Sequence, residues 1–232
     1  MSRLLKGPIP LFAQFTMLSI MIITAIGMST PVLSQEYDLP ADVREDTLSR
    51  LAPADPSTMD DYGREIYDRV VGLDNIGPVY GPAMFSVHMP RVADGMDLIN
   101  KYLRYDSLIG RPLIELAILV AARELDQQYE WAAHEALALA EDVPQAHIDV
   151  IKHHQSTDSL PAKESLIIRY GREIFREHTL SAETWAEAVS LFGQQGALEI
   201  AAIMGDYAMA AIILTAIDQH IPADRPHRMP IE

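Results

Sequence analysis

Residues 111–141, RPLIELAILVAARELDQQYEWAAHEALALAE, constrain the fold of this chain more than any other stretch. Ile114, Ala117, Ile118, Ala121 and Leu125 recur at helical spacing, so the first part reads as a helix buried along one side. A tight junction near residues 125–127 separates it from a second helix, which Ala132, Ala133, Ala136, Ala138 and Ala140 keep thin enough for close neighbours. On that second helix Gln127, Glu130 and His134 stand at i, i+3 and i+7, within roughly 60° of one another at about 100° per residue. One stripe therefore carries an amide, a carboxylate and an imidazole, with Trp131 beside it.

Two readings of the stripe compete. In one, Glu130 and His134 form an ordinary i, i+4 pair on a solvated face, contributing a few tenths of a kcal/mol. In the other, the pair sits in a pocket, and Glu130 orients the imidazole and sets its tautomer so that His134 can move a proton. Glu115 interrupts the apolar surroundings of the first helix. Taken alone, it reads as a surface acid near the helix N-terminus, where the dipole favours it.

The words YEWAAHEALALAEDVPQAHIDVI, residues 129–151, resemble the signature of the carboxymuconolactone decarboxylase family, which includes the alkylhydroperoxidase D-like proteins. That signature has a glutamate on one helix, then two reactive positions and a histidine on the next. Here Glu115 matches the glutamate and His134 the histidine. Gln127 and Glu130 stand where the peroxidase branch has its C-x-x-C cysteines. The EW-x-x-H form, Glu130, Trp131 and His134, is similar to the decarboxylase-like branch. A weaker likeness runs from about residue 62 to residue 219 and includes LFGQQGALEIAAIMGDYAMAAIILTAI, similar to the family's closing helices.

The resemblance implies an all-α, single-domain helical bundle of the alkylhydroperoxidase D-like type, assembled as a homo-oligomer, a trimer or hexamer. It implies cofactor-free decarboxylation, or a related proton transfer, on a small lactone-like carboxylic acid. In that reading His134 delivers or shuttles the proton and Glu130 orients it. Glu115 is a relay whose pKa is raised by burial and by Glu130. Gln127 donates an amide hydrogen bond to the developing oxyanion, and Trp131 packs rather than reacts. Arg111 and Arg123 are the cations nearest in sequence for an anionic substrate.

Residues 1–34 hold Arg3 and Lys6, no acid, and an apolar run from about residue 11 to residue 28, with Val32 and Ser34 in a small-residue cleavage context. They read as a secretory signal peptide, or as an N-terminal membrane anchor if uncleaved. Either way the folded part is expected outside the cytoplasm, periplasmic or secreted. Residues 35–57, punctuated by Pro40, Pro53 and Pro56, read as an extended tether with one short helix around 41–51.

The helical domain is expected over 58–220. Besides the pair in 111–141, helices are read at 59–73 with Ser57 or Thr58 as cap, 83–88, 90–103, 144–153, 162–177, 182–192 with Ser181 as cap, and 198–219. The loop 74–82, DNIGPVYGP, is either a wall of the pocket or a plain connector. The last helix is apolar nearly all round, as a buried helix is, and Glu199, Asp206 and Asp218 argue against its crossing a membrane. Residues 221–232 contain three prolines and read as a tail, unpacked or draped over a neighbour.

Charge and composition exclude several function classes. Without residues 1–34, and so without Arg3 and Lys6, the formal charge goes from -15 to -17, and the chain lacks the basic footprint that nucleic acid or an anionic membrane demands. There is no cysteine, and thiol peroxidase turnover needs a thiolate, so peroxidase activity would be a matter of ancestry alone. His88 beside Pro90 reads as structural. His134, His147, His153 and His154 do not suggest a metal, because no second carboxylate–histidine helix pair completes a dinuclear site. No cofactor is expected; the expected partners are a small-molecule substrate and other copies of the chain. The rival is a non-catalytic, oligomeric binding or scaffold protein. It predicts Glu115, Glu130 and His134 splayed into solvent, whereas an enzyme needs them converging on one cavity.

Overall fold

The periodicities translate into eight α-helices and no strand among the described residues, which in this computed structural model are 39–72, 79–223, 225 and 229–230. The chain clusters into two units, Met1–Gln35 and Glu36–Glu232, and all eight helices belong to the second. The signal expected at 1–34 and most of the loop expected at 74–82 lie outside the described residues. The helices are α1 Asp61–Val71, α2 Pro82–His88, α3 Pro90–Tyr105, α4 Arg111–Glu124, α5 Gln128–Ala140, α6 Gln145–Lys152, α7 Ala162–Arg172 and α8 Ala182–Ala216.

Helix α4 is the centre of the bundle. Every residue from Ile114 to Arg123 is buried, and α5, α7 and α8 pack around it. A helix that is apolar on all sides can be satisfied only in that position. Ile114, Leu116, Ile118 and Leu119 are almost completely removed from water; each such side chain contributes roughly 1.5–3 kcal/mol of transfer free energy. The junction to α5 is as tight as expected, with Asp126 in a left-handed conformation (φ 50°).

The caps follow local chemistry, with one change from the expectation. Asp60 starts α1, its side chain accepting from Gly63 N, while Ser57 and Thr58 sit in a 3-10 turn, Pro56–Thr58, capped by Asp55. Aspartates in front of each turn take the role expected of the hydroxyls. Ser181 caps α8 as expected, accepting from Thr184 N. The helices expected at 182–192 and 198–219 are one element, broken only at Gly193 (φ 73°, ψ 171°).

Residues 39–55 are neither helical nor a free tether. Val43 and Leu48 are buried, and Arg44 and Ser49 form an isolated bridge. Arg50 N donates to Ile217 O at 2.7 Å and His220 N to Leu48 O at 2.7 Å, so the segment is laced to the end of α8. Gln219 completes the join: Nε2 donates to Thr47 O and Leu48 O, and Oε1 accepts from Gly81 N. His88 is structural, its Nε2 lying 3.0 Å from Ala52 O. The described part of the tail packs on its own chain: Met229 is buried, and its backbone N and O are both bonded to the Gln128 amide.

Candidate active site

Four helices line a cavity of about 260 Å³ that opens to the surface. Helix α2 contributes Phe85, α3 contributes Asn100 and Arg104, α5 contributes Glu130 and His134, and α8 contributes Asp206 and Tyr207. Asn100 and Arg104 are one turn apart and share a face of α3, as Glu130 and His134 share a face of α5. Asp206 and Tyr207 are, with Thr184 and Glu199, the polar members of the mostly apolar buried face of α8.

His134 is held from both sides. Its Nδ1 lies 2.7 Å from Glu115 Oε2 on α4, and its Nε2 lies 3.6 Å from Glu130 Oε2 on its own helix. The Tyr207 ring meets the imidazole edge to face, with centroids 4.8 Å apart and planes at 85°. Glu115 is completely buried behind the ring, where its Oε1 receives Arg104 at 3.0 Å and Arg111 at 3.2 Å.

The two glutamates titrate in opposite directions. Burial alone would push Glu115 up, but the His134 hydrogen bond and charge together with the Arg104 guanidinium outweigh it, so its carboxyl is held below the usual range. An ionised Glu115 has no proton to give, so His134 Nδ1 carries the hydrogen between them, and Nε2 faces Glu130. Burial pushes Glu130 up, the negative charge of Asp206 adds to this, and His134 opposes it. Its protonated form is thereby favoured, and Oε1 has no partner. Burial also raises Asp206, against an Asn100 hydrogen bond of 3.1 Å.

One expectation is corrected: the pKa of Glu115 is lowered by His134 and Arg104 and not raised, and the raised carboxyl is Glu130. Glu115, and not Glu130, makes the short contact to the imidazole. The imidazole and both acids converge: Glu130 and His134 line the cavity, and Glu115 backs the ring.

The other expected site residues lie elsewhere. Gln127 is the N-cap of α5: Oε1 accepts from Tyr129 N and Nε2 donates to Thr215 Oγ1 at 3.0 Å, so its amide is committed on a different surface. Trp131 is buried in the core with Nε1 donating to Glu135 Oε2 at 2.8 Å. Arg111 stands behind Glu115 and also pairs with Glu141 at 3.1 Å. Arg123, at the far end of α4, pairs with Asp126 and donates to Lys152 O. The cation at the cavity is Arg104, which the sequence pattern did not single out, and the same holds for Asn100 and Tyr207 beside it. Burial works against the Arg104 charge, and the Glu115 carboxylate at 3.0 Å sustains it.

The site thus presents an imidazole fixed by a buried carboxylate, a second carboxyl beside it whose pKa is raised, and a guanidinium one step away. No family model, curated protein or solved structure matches this chain.

Proposed function

We propose that the chain is a general acid–base catalyst that moves a proton on a small organic molecule inside this cavity. The observation that carries the reading is the clamped imidazole, with Nδ1 at 2.7 Å from Glu115 and Nε2 turned toward Glu130. The reaction proposed, following the motif resemblance, is decarboxylation of a small lactone-like carboxylic acid or a related proton transfer.

As the bond to the substrate carboxylate breaks and carbon dioxide leaves, its electron pair spreads into a conjugated carbonyl. Arg104 balances the negative charge that builds on the carbonyl oxygen. Glu130 gives its proton to the carbanion carbon and is left as a carboxylate; His134 Nε2 takes a proton from solvent, and the imidazolium so formed passes it to Glu130, which restores both groups. Glu115 stabilises the transient imidazolium, as an ionised partner on Nδ1 does. Export, with residues 1–34 as the signal, belongs to the same proposal.

The test is incubation of the purified protein with lactone acids and simple keto acids in deuterated buffer, following carbon dioxide release and deuterium uptake at carbon. His134→Ala is expected to lower the rate by about 10²–10⁴. Neither gas release nor deuterium uptake from any of these compounds would remove the proposal, as would full activity in His134→Ala.

A further inference from the structure

The last 23 residues of α8, 194–216, hold two charges, Glu199 and Asp206, and both are turned inward. Glu199 accepts from Tyr102 OH and Ser107 Oγ at 2.6 Å, and Asp206 accepts from Asn100. The outward face carries no charge at all. Leu198, Ala202, Gly205, Met209, Ile212 and Ala216 are all exposed along it, Leu198 by 60 % and Ile212 by 65 %. Their steps alternate between four and three residues. This is the 3.5-residue repeat of a helix that packs lengthwise on another helix. A solvated face has no reason to keep it.

We infer that this seam pairs with the same seam of a second copy, antiparallel about a two-fold axis. The residues themselves select the register. Set antiparallel with Ala202 opposite Ile212, the seam also places Leu198 opposite Ala216 and Gly205 opposite Met209. Each layer then joins one large and one small side chain, and the two-fold axis repeats each layer once. Parallel pairing does the reverse, placing Met209 on Met209 and Ala202 on Ala202. A Cβ on Gly205 would meet nothing within 4 Å, so the surface there is open to the Met209 side chain of the second copy. Charge points the same way. In a chain of formal charge -15 the uncharged face is where a like-charged copy can approach without repulsion. The seam is independent of the chemistry proposed for the cavity.

The absence of cysteine makes the test clean. Ala202→Cys and Ile212→Cys are made separately in the full chain; both sites are exposed, so neither substitution disturbs the core. Within an antiparallel pair, the two copies of position 202, like the two copies of position 212, are separated by about 15 Å along the axis. A short bis-maleimide is therefore expected to link a mixture of the two variants into dimers and to leave each variant alone unlinked. Ile212→Asp is expected to convert the dimer into a monomer in sedimentation at unchanged circular dichroism. Linking of either single variant with itself to the same extent overturns the register and the inference with it. A parent that sediments as a monomer, or that binds phosphatidylcholine vesicles through Ile212 instead of a second copy, also overturns it.

Discussion

Glu115 Oε2 and His134 Nδ1 meet at 2.7 Å across the α4–α5 contact, while the other oxygen of Glu115 receives Arg104 at 3.0 Å. The carboxylate is completely buried, so its partners and not water hold its charge. Removing that charge leaves the buried Arg104 without its carboxylate partner and Arg111 with Glu141 alone. Glu115→Gln is therefore expected to lower stability by about 3 kcal/mol at neutral pH. The pH dependence follows from the sign of the shift. A depressed carboxyl contributes stability above its ordinary value of 4.5 and loses it as pH falls through the folded value. Urea unfolding should show the gap between parent and variant closing on acidification below 4.5. A gap that does not change with pH would show that Glu115 is not ionised in the fold.

Glu130 carries the opposite expectation. Its carboxyl is raised by burial and by Asp206, so the folded chain keeps this proton longer than the unfolded chain does. Stability from this group is complete below the ordinary value of 4.5 and falls as pH rises through the folded value. Glu130→Gln cannot ionise and escapes that fall. Parent and variant should have similar urea midpoints near pH 4, with the variant the more stable at pH 8. If the parent is as resistant as the variant at both, Glu130 is not the protonated acid of the site.

The contrast between these two glutamates marks how far the sequence can be read. Glu130 and His134 are visible as a pair because i, i+4 spacing is local geometry, fixed by the helix itself. That Glu115 and not Glu130 makes the short contact depends on how α4 and α5 pack, which spacing does not encode. Arg104 leaves a trace: Ala93, Met96, Asn100 and Arg104 follow one face of α3, and all four line the cavity. In the sequence Asp206 stands out only as an obstacle to a membrane span, although an acid on an inward face of an apolar helix is itself a sign of a site. The helices are mostly legible because apolar spacing sets them. Residues 39–57 are not, since their order comes from Ile217, Gln219 and His220, nearly the length of the domain away.

The contact of α7 with α4 depends on a missing methyl group. A Cβ on Gly171 would lie 2.3 Å from Val120 Cγ1 and 3.0 Å from Met204 Cε. Gly171→Ala is expected to destabilise by ~1–3 kcal/mol through overpacking. Val120→Ala opens space at that point, so the double variant should be at least ~1 kcal/mol more stable than the sum of the single changes implies. Strict additivity in denaturant unfolding would mean that these two positions do not touch.

Two further glycines separate backbone conformation from packing. Gly193 and Gly95 both face open space, with nothing within 4 Å of an added Cβ. They differ in backbone: Gly193 has φ 73° and ψ 171°, a region that side chains resist, whereas Gly95 lies within the regular turns of α3. Gly193→Ala is therefore expected to cost ~1–3 kcal/mol by backbone strain alone. Gly95→Ala, relieved of glycine's extra unfolded-state entropy, should stabilise by roughly 0.5–1 kcal/mol. Thermal unfolding of the two variants beside the parent gives the answer directly. Equal shifts in one direction would mean that the break at Gly193 is not held in the fold and that α8 can run straight through it.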